Sequence, residues 1–222
     1  MKLGILSLAV CAGLSLLLCS VALAAPAPIA ASTLLNVATD ISAAVSQIDS
    51  KGTATPTDDT WAIAPGGALA FGTLSLKTGT DPMGRTWSVF LPQYYFAIDI
   101  GFPDGGMPSG KSIVVAYGSD VRPPGATSGL GDKATITYCR TYFAAPGDWE
   151  LNRTTDAVIE KKLLKDGNTV PTSAITGGWL RMYVGIVTLD PTAVPVDPAG
   201  AQIFSPSDIT GTYSGAVTIS LV

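Results

Sequence analysis

Short runs of β-branched and aromatic residues, separated by Gly, Pro and Asp clusters, constrain this chain more than any other feature. The runs are 68–71, 73–76, 86–91, 94–100 and 112–117, with the longest at 134–143 (ATITYCRTYF) and 179–189 (WLRMYVGIVTL). Between them lie turn-forming clusters such as Pro65-Gly66-Gly67, Asp104-Gly105-Gly106, Pro123-Pro124-Gly125, Pro146-Gly147-Asp148 and Asp166-Gly167-Asn168. Gly releases the backbone into positive φ, Pro removes a ladder donor, and Asp bonds its own backbone, so each cluster ends a strand. Strands at this spacing predict an all-β sandwich or barrel. No long linker or internal repeat interrupts them, which predicts a single β domain over 34–222.

The last run has the clearest pattern. In residues 211–222 (GTYSGAVTISLV), Tyr213, Val217, Ile219 and Leu221 are apolar, whereas Thr212, Ser214, Thr218 and Ser220 carry hydroxyls. Period-two alternation puts one face in a core and the other in solvent. Residues 34–48 are less decisive. Read with period two, Leu35, Val37, Ile41, Ala43 and Val45 share a face. Read as a helix, Leu34, Val37, Ala38, Ile41, Ala44, Val45 and Ile48 form an equally good stripe. The all-β context favours a strand, either the first of its own sheet or a donor to a neighbour. Residues 156–165 are likewise open between a short helix and a hairpin arm turning at Asp166-Gly167.

The N-terminus sets the expected compartment. Lys2 precedes an apolar run of about 16 residues, and Ala22-Leu23-Ala24 closes it, the plan of a secretory signal peptide over 1–24. The run is shorter than the ~20 residues that span a bilayer, and Ala25-Pro26-Ala27-Pro28 follows without a positive stop. A secreted or cell-surface chain with no membrane span in its mature form is expected, with 25–33 as a flexible lead-in. Leu18 before Cys19 is too large for a lipid-attachment site. Cys11 and Cys19 leave with the peptide, so Cys139 has no disulfide partner and reads as a small buried hydrophobe in a strand.

Composition narrows the chemistry. The chain of 222 residues has no histidine, 13 Lys and Arg against 17 Asp and Glu, and only 14% charged residues. Ser-His-Asp and Cys-His catalysis are excluded with histidine, as is the commonest zinc ligand. A net charge of −4 offers no electrostatic footprint for nucleic acid. Asp81, Asp99, Asp104, Asp120, Asp132, Asp148 and Glu150 are the only acid–base candidates. Most sit beside Gly or Pro as turn residues, and no pair is spaced as glycosidase carboxylates require. Asp104-Gly105-Gly106 and Asp166-Gly167-Asn168 fall short of a calcium loop. Catalytic, metal and cofactor sites are therefore not expected. Tyr94, Tyr95, Phe96, Tyr138, Tyr142 and Trp149 are strand aromatics of the kind that fill cores or, on an exposed face, stack on sugars. Asn152-Arg153-Thr154 meets the glycosylation sequon, and Lys161, Lys162 and Lys165 form a small positive patch suited to guarding an edge strand.

Two patches resemble a known family. Ala68-Leu-Ala-Phe-Gly-Thr-Leu74 is similar to an early patch of spore coat protein U-like and pilin-like secreted domains, and residues 209–219 (ITGTYSGAVTI) resemble their closing strand. The resemblance implies an immunoglobulin-like antiparallel β-sandwich that serves as a structural subunit of a surface coat or pilus-like filament. It also implies self-association or other surface subunits as partners, strand donation, and a periplasmic chaperone and usher. The chain departs from many relatives in lacking a cysteine pair. The alternative expectation is a secreted carbohydrate- or cell-wall-binding module.

Overall fold

A computed structural model describes residues 28–51, 58–64, 67–81, 83–102, 108–141, 156–175, 178–188 and 198–222. The signal-peptide reading of 1–24, together with Asp104, Tyr142, Asp148, Trp149, Glu150 and the 152–154 sequon, lies outside the described residues. None of the described helices is long and apolar enough to cross a membrane.

The fold is all-β. Its strands are β1 (Ile29–Val37), β2 (Ser42–Asp49), β3 (Thr60–Ile63), β4 (Ala68–Thr73), β5 (Ser75–Thr80), β6 (Thr86–Leu91) and β7 (Tyr94–Gly101). They continue with β8 (Ser112–Val121), β9 (Ala134–Thr141), β10 (Ala157–Leu163), β11 (Asn168–Pro171), β12 (Trp179–Ile186) and β13 (Gly211–Leu221). One sheet has the order β11-β8-β13-β1-β4, a second β10-β9-β12-β7-β2-β3, and β5-β6 form a separate hairpin. Both larger sheets feed one buried core: Ile29, Leu69, Phe71, Ile113, Tyr213 and Val217 come from the first, and Phe96, Ile98, Ile136, Leu180 and Met182 from the second. The Phe71 and Phe96 rings meet edge to face between β4 and β7, 5.4 Å apart.

β13 shows how sequence pattern becomes packing. Tyr213, Val217 and Ile219 are fully buried and Leu221 packs partly buried on the same core. Thr212 and Thr218, one residue away, are exposed. The Tyr213 hydroxyl donates to the Ile209 carbonyl at 2.8 Å, which pins the chain where it enters the strand. Gly215 has no room for a side chain: a Cβ there would lie 2.2 Å from the Tyr117 hydroxyl oxygen. In β4, Leu69 and Phe71 point inward, and Gly72 holds φ 81° where the ladder with β1 slips by one residue.

Three expectations are corrected. Residues 25–33 are not all a flexible lead-in, because β1 begins at Ile29, with Ile29, Ala31 and Thr33 buried. The small Ala and Ser side chains mute the hydrophobic signal there. Residues 34–48 are neither one strand nor a helix: the chain leaves the first sheet at Val37 and enters the second at Ser42. The pairing is not wholly antiparallel either, since β1 runs parallel to β13 throughout, from Ile29 opposite Gly211 to Val37 opposite Ile219. First and last strands are joined by the whole chain, so no hairpin turn forces them antiparallel. The open reading of 156–165 resolves as edge strand β10 followed by a 3₁₀ turn at Leu164–Asp166, with Gly167 at φ 60°.

Candidate functional site

The side of the six-stranded sheet that faces away from the shared core is not a simple solvent face. In β7, Phe96, Ile98 and Ile100 point into the core, so Ala97 and Asp99 point the other way, yet both are fully buried. In β12, Leu180, Met182 and Val184 take the core positions, which sends Arg181 and Tyr183 outward. Register places Arg181 directly opposite Asp99 on β7 and Cys139 on β9.

The resulting cluster is polar and enclosed. Arg181 Nε donates to Asp99 Oδ1 at 2.8 Å and Nη2 to Oδ2 at 3.2 Å, a two-pronged pair with both side chains at or below 1% exposure. Arg181 Nη1 lies 3.7 Å from Asp156 Oδ2 and 3.4 Å from the Tyr183 hydroxyl, which itself donates to Asp156 at 2.6 Å. The guanidinium sits over the Trp61 ring at 5.3 Å and the Tyr183 ring at 5.9 Å. Trp61, from edge strand β3, meets Tyr183 edge-on at 6.5 Å, and Tyr95 flanks Tyr183 at the same distance while its hydroxyl donates to Asp59. Ser46 Oγ, Trp61 Nε1 and Asp156 Oδ1 are buried here without a hydrogen-bond partner among the described residues.

Burial pushes the Asp99 carboxyl up, opposed by the hydrogen bond and charge of Arg181. Burial alone would lower Arg181, but its bonds to Asp99 outweigh that and hold it above its ordinary value. Each Asp99 oxygen accepts one hydrogen bond from the same guanidinium, which fixes the carboxylate in the plane of Arg181. Among the described residues no group of three or more His, Cys, Asp or Glu side chains is placed to hold a metal ion.

The other singled-out residues separate by role. Leu35 and Val37 in β1, Ile41 in the connection, and Ala43 and Val45 in β2 all pack on the one core, from two different sheets. Asp81 is a turn residue, accepting from the Met83 and Arg85 backbone amides and from Arg85 Nε. Asp132 accepts from the Gly129 amide and pairs with Lys165 at 2.7 Å. Asp120 accepts from the Tyr117 hydroxyl. Asp99 breaks the pattern, a mid-strand charge rather than a turn former. Phe96 and Tyr138 are core and Tyr94 packs against it, which leaves Tyr95 alone of the described aromatic candidates on the polar side. Cys139 is buried. Lys161 and Lys162 lie on β10, the edge of the six-stranded sheet, and Lys162 is 3.3 Å from Glu160.

Arg181, Trp61, Tyr183 and Asp156 did not emerge from sequence reasoning. A signal existed: one Asp in YYFAIDIG and one Arg in WLRMYVGI, each alone in an apolar strand, is how a buried ion pair looks before it is assembled.

Several phenols are buried as well. Burial first, then a neighbouring carboxylate, raises Tyr117 (Asp120), Tyr138 (Glu160), Tyr183 (Asp156) and Tyr213 (Asp208) above the ordinary phenol range. A raised acid holds its proton more tightly folded than unfolded. Its stabilisation is complete below the unfolded value of about 10 and is lost as pH rises through the folded value. Spectrophotometric titration will show these tyrosines ionising together with alkaline unfolding. Ionisation of all tyrosines near pH 10 with the fold intact contradicts this.

Comparison with family models, with curated proteins and with solved structures returns no match.

Proposed function

We propose that this chain is a secreted, non-enzymatic structural subunit of a bacterial surface coat or pilus-like filament, built as an immunoglobulin-like sandwich and joined to its neighbours by exchange of strand β1. The observation that carries this reading is the place of β1. The first strand lies inside the five-stranded sheet, parallel to the last strand β13 on one side and antiparallel to β4 on the other. It leaves that sheet through a short connection at 38–41. Withdrawing β1 opens a groove whose two walls present unpaired N–H and C=O groups. The same segment of another copy satisfies them, which is β-augmentation. The Tyr213-to-Ile209 bond supports the immunoglobulin-like assignment, since a tyrosine near a strand start bonding a few residues upstream is a recurring device of such sandwiches. The apolar leader and Ala-Leu-Ala end of 1–24 support export.

The test locks β1 in place. Ala30 and Thr212 are neighbours in register, and a strand spacing of about 4.8 Å is within disulfide reach. Ala30→Cys/Thr212→Cys oxidised as a monomer should fail to form the chains longer than a dimer that the reduced protein forms. Equal assembly of locked and reduced protein, or none in either, sinks strand exchange.

A second reading, a carbohydrate-binding module, draws on Trp61, Tyr95 and Tyr183. Three partly exposed rings on one side of a sheet are apolar faces of the kind on which sugars stack. Binding on a panel of cell-wall and extracellular glycans that disappears in Trp61→Ala supports it. A panel with no binding removes it.

A further inference from the structure

The five-stranded sheet has an outer face with no charge on it. Strands β1, β4, β11 and β13 contain no Asp, Glu, Lys or Arg at all. The one charged residue of β8, Asp120, is bonded to Tyr117 and to the Gly131 amide. Its neighbour Ser119 has φ 55°, where the strand kinks, and beyond the kink Val121 joins Ser214 in register. Alternation therefore sends an array of Ala, Ser, Thr, Asn and Val side chains outward, with bare backbone at Gly72 and Gly118. Two larger apolar side chains stand on it, Leu34 at 58% exposure and Val121 at 59%. Ala216 on β13 is at its centre, opposite Leu34 on β1 and Gly118 on β8.

Exposed sheet faces are ordinarily kept soluble by Lys and Glu. Here those residues are elsewhere: Glu160, Lys161 and Lys162 lie on β10 at the far edge of the other sheet. We infer that this uncharged face docks a second copy of this chain, face to face about a two-fold axis. Three arguments select that occupant. The chain is acidic, so two copies approach at least electrostatic cost through a surface without carboxylates. Burying Ala, Ser, Thr and Leu34 requires no charge to be desolvated, and hydroxyls bond across an interface as readily as to water. Five strands at about 4.8 Å spacing, averaging eight residues at about 3.3 Å each, give roughly 630 Å², within the range that each partner buries in a standard interface of about 1,200–2,000 Å² in total. The inference shares with the proposed function the premise that the partner is another copy. It uses a different surface, because face pairing leaves β1 in its own sheet.

Sedimentation velocity over a concentration series separates the two. The oxidised Ala30→Cys/Thr212→Cys chain, which cannot exchange β1, should still dimerise reversibly. Ala216→Lys in that background should weaken the dimer roughly 100-fold or abolish it, since the two-fold axis sets two lysines against each other. Thr218→Lys, at an exposed position, should do the same with an unchanged melting curve, while Lys162→Glu on β10 should have no effect. A locked chain that stays monomeric at its highest soluble concentration overturns the face-to-face dimer and leaves strand exchange untouched. So does a dimer indifferent to both lysine substitutions.

Discussion

Asp99→Ala should cost about 3–5 kcal/mol of unfolding free energy, the penalty for stranding a buried charge. The carboxylate accepts two of Arg181's hydrogen bonds in a site with neither side chain above 1% exposure, so its removal leaves a buried guanidinium against the Trp61 and Tyr183 rings. Asp156 stands 3.7 Å from another guanidinium nitrogen, beyond hydrogen-bond distance, and its Oδ2 accepts from the Tyr183 hydroxyl. In a chain of this size the loss corresponds to a fall in Tm on the order of 10 °C. The partner substitution Arg181→Met should be at least as damaging, since it leaves Asp99 and Asp156 close together with no cation. The double variant Asp99→Leu/Arg181→Met should lose less than the sum of the two, because no unpaired charge of the pair remains. Chemical denaturation of the three variants gives the coupling directly. Additive losses would mean that the pair is not a unit.

Removal of residues 1–38 should prevent folding, and a peptide of residues 28–38 should restore it. β1 places Ile29, Ala31 and Thr33 at or below 3% exposure and packs Leu35 and Val37 on the core. At about 1.5–3 kcal/mol for each large apolar side chain buried, its loss removes much of the 5–15 kcal/mol by which folded chains are stable. It also unpairs one side of β13 and one side of β4. The truncated chain should show no cooperative melt alone and a cooperative one with peptide, with the transition rising with peptide concentration. A truncated chain that melts cooperatively without peptide would show that β1 is dispensable, and strand exchange would lose its physical basis.

How much of this could be read in advance depends on the range of the interaction. β13 was legible because period-two alternation of Val, Ile and Tyr with Thr and Ser is a local property: a strand with one buried face must look like that. Turn carboxylates such as Asp81 were legible for the same reason, since the amides they accept from are two and four residues away. Residues 29–49 were not. Ala and Ser in β1 carry little hydrophobic contrast, and the break at 38–41 has neither Gly nor Pro to announce it. The Asp99–Arg181 pair joins positions 82 apart in the chain, so no window of sequence contains both.

The chain by itself determined the class of fold and the chemistries that are closed to it. Strand-length runs between turn formers admit only sheets, and a chain without histidine cannot run histidine chemistry in any fold. Tertiary structure alone decided which strands meet. The parallel insertion of β1 beside β13, the polar cluster enclosed behind the six-stranded sheet, and the uncharged outer face of the other sheet all arise from pairings across most of the chain's length. Alternation tells each strand that it has two faces; only register and sheet order decide what each face meets.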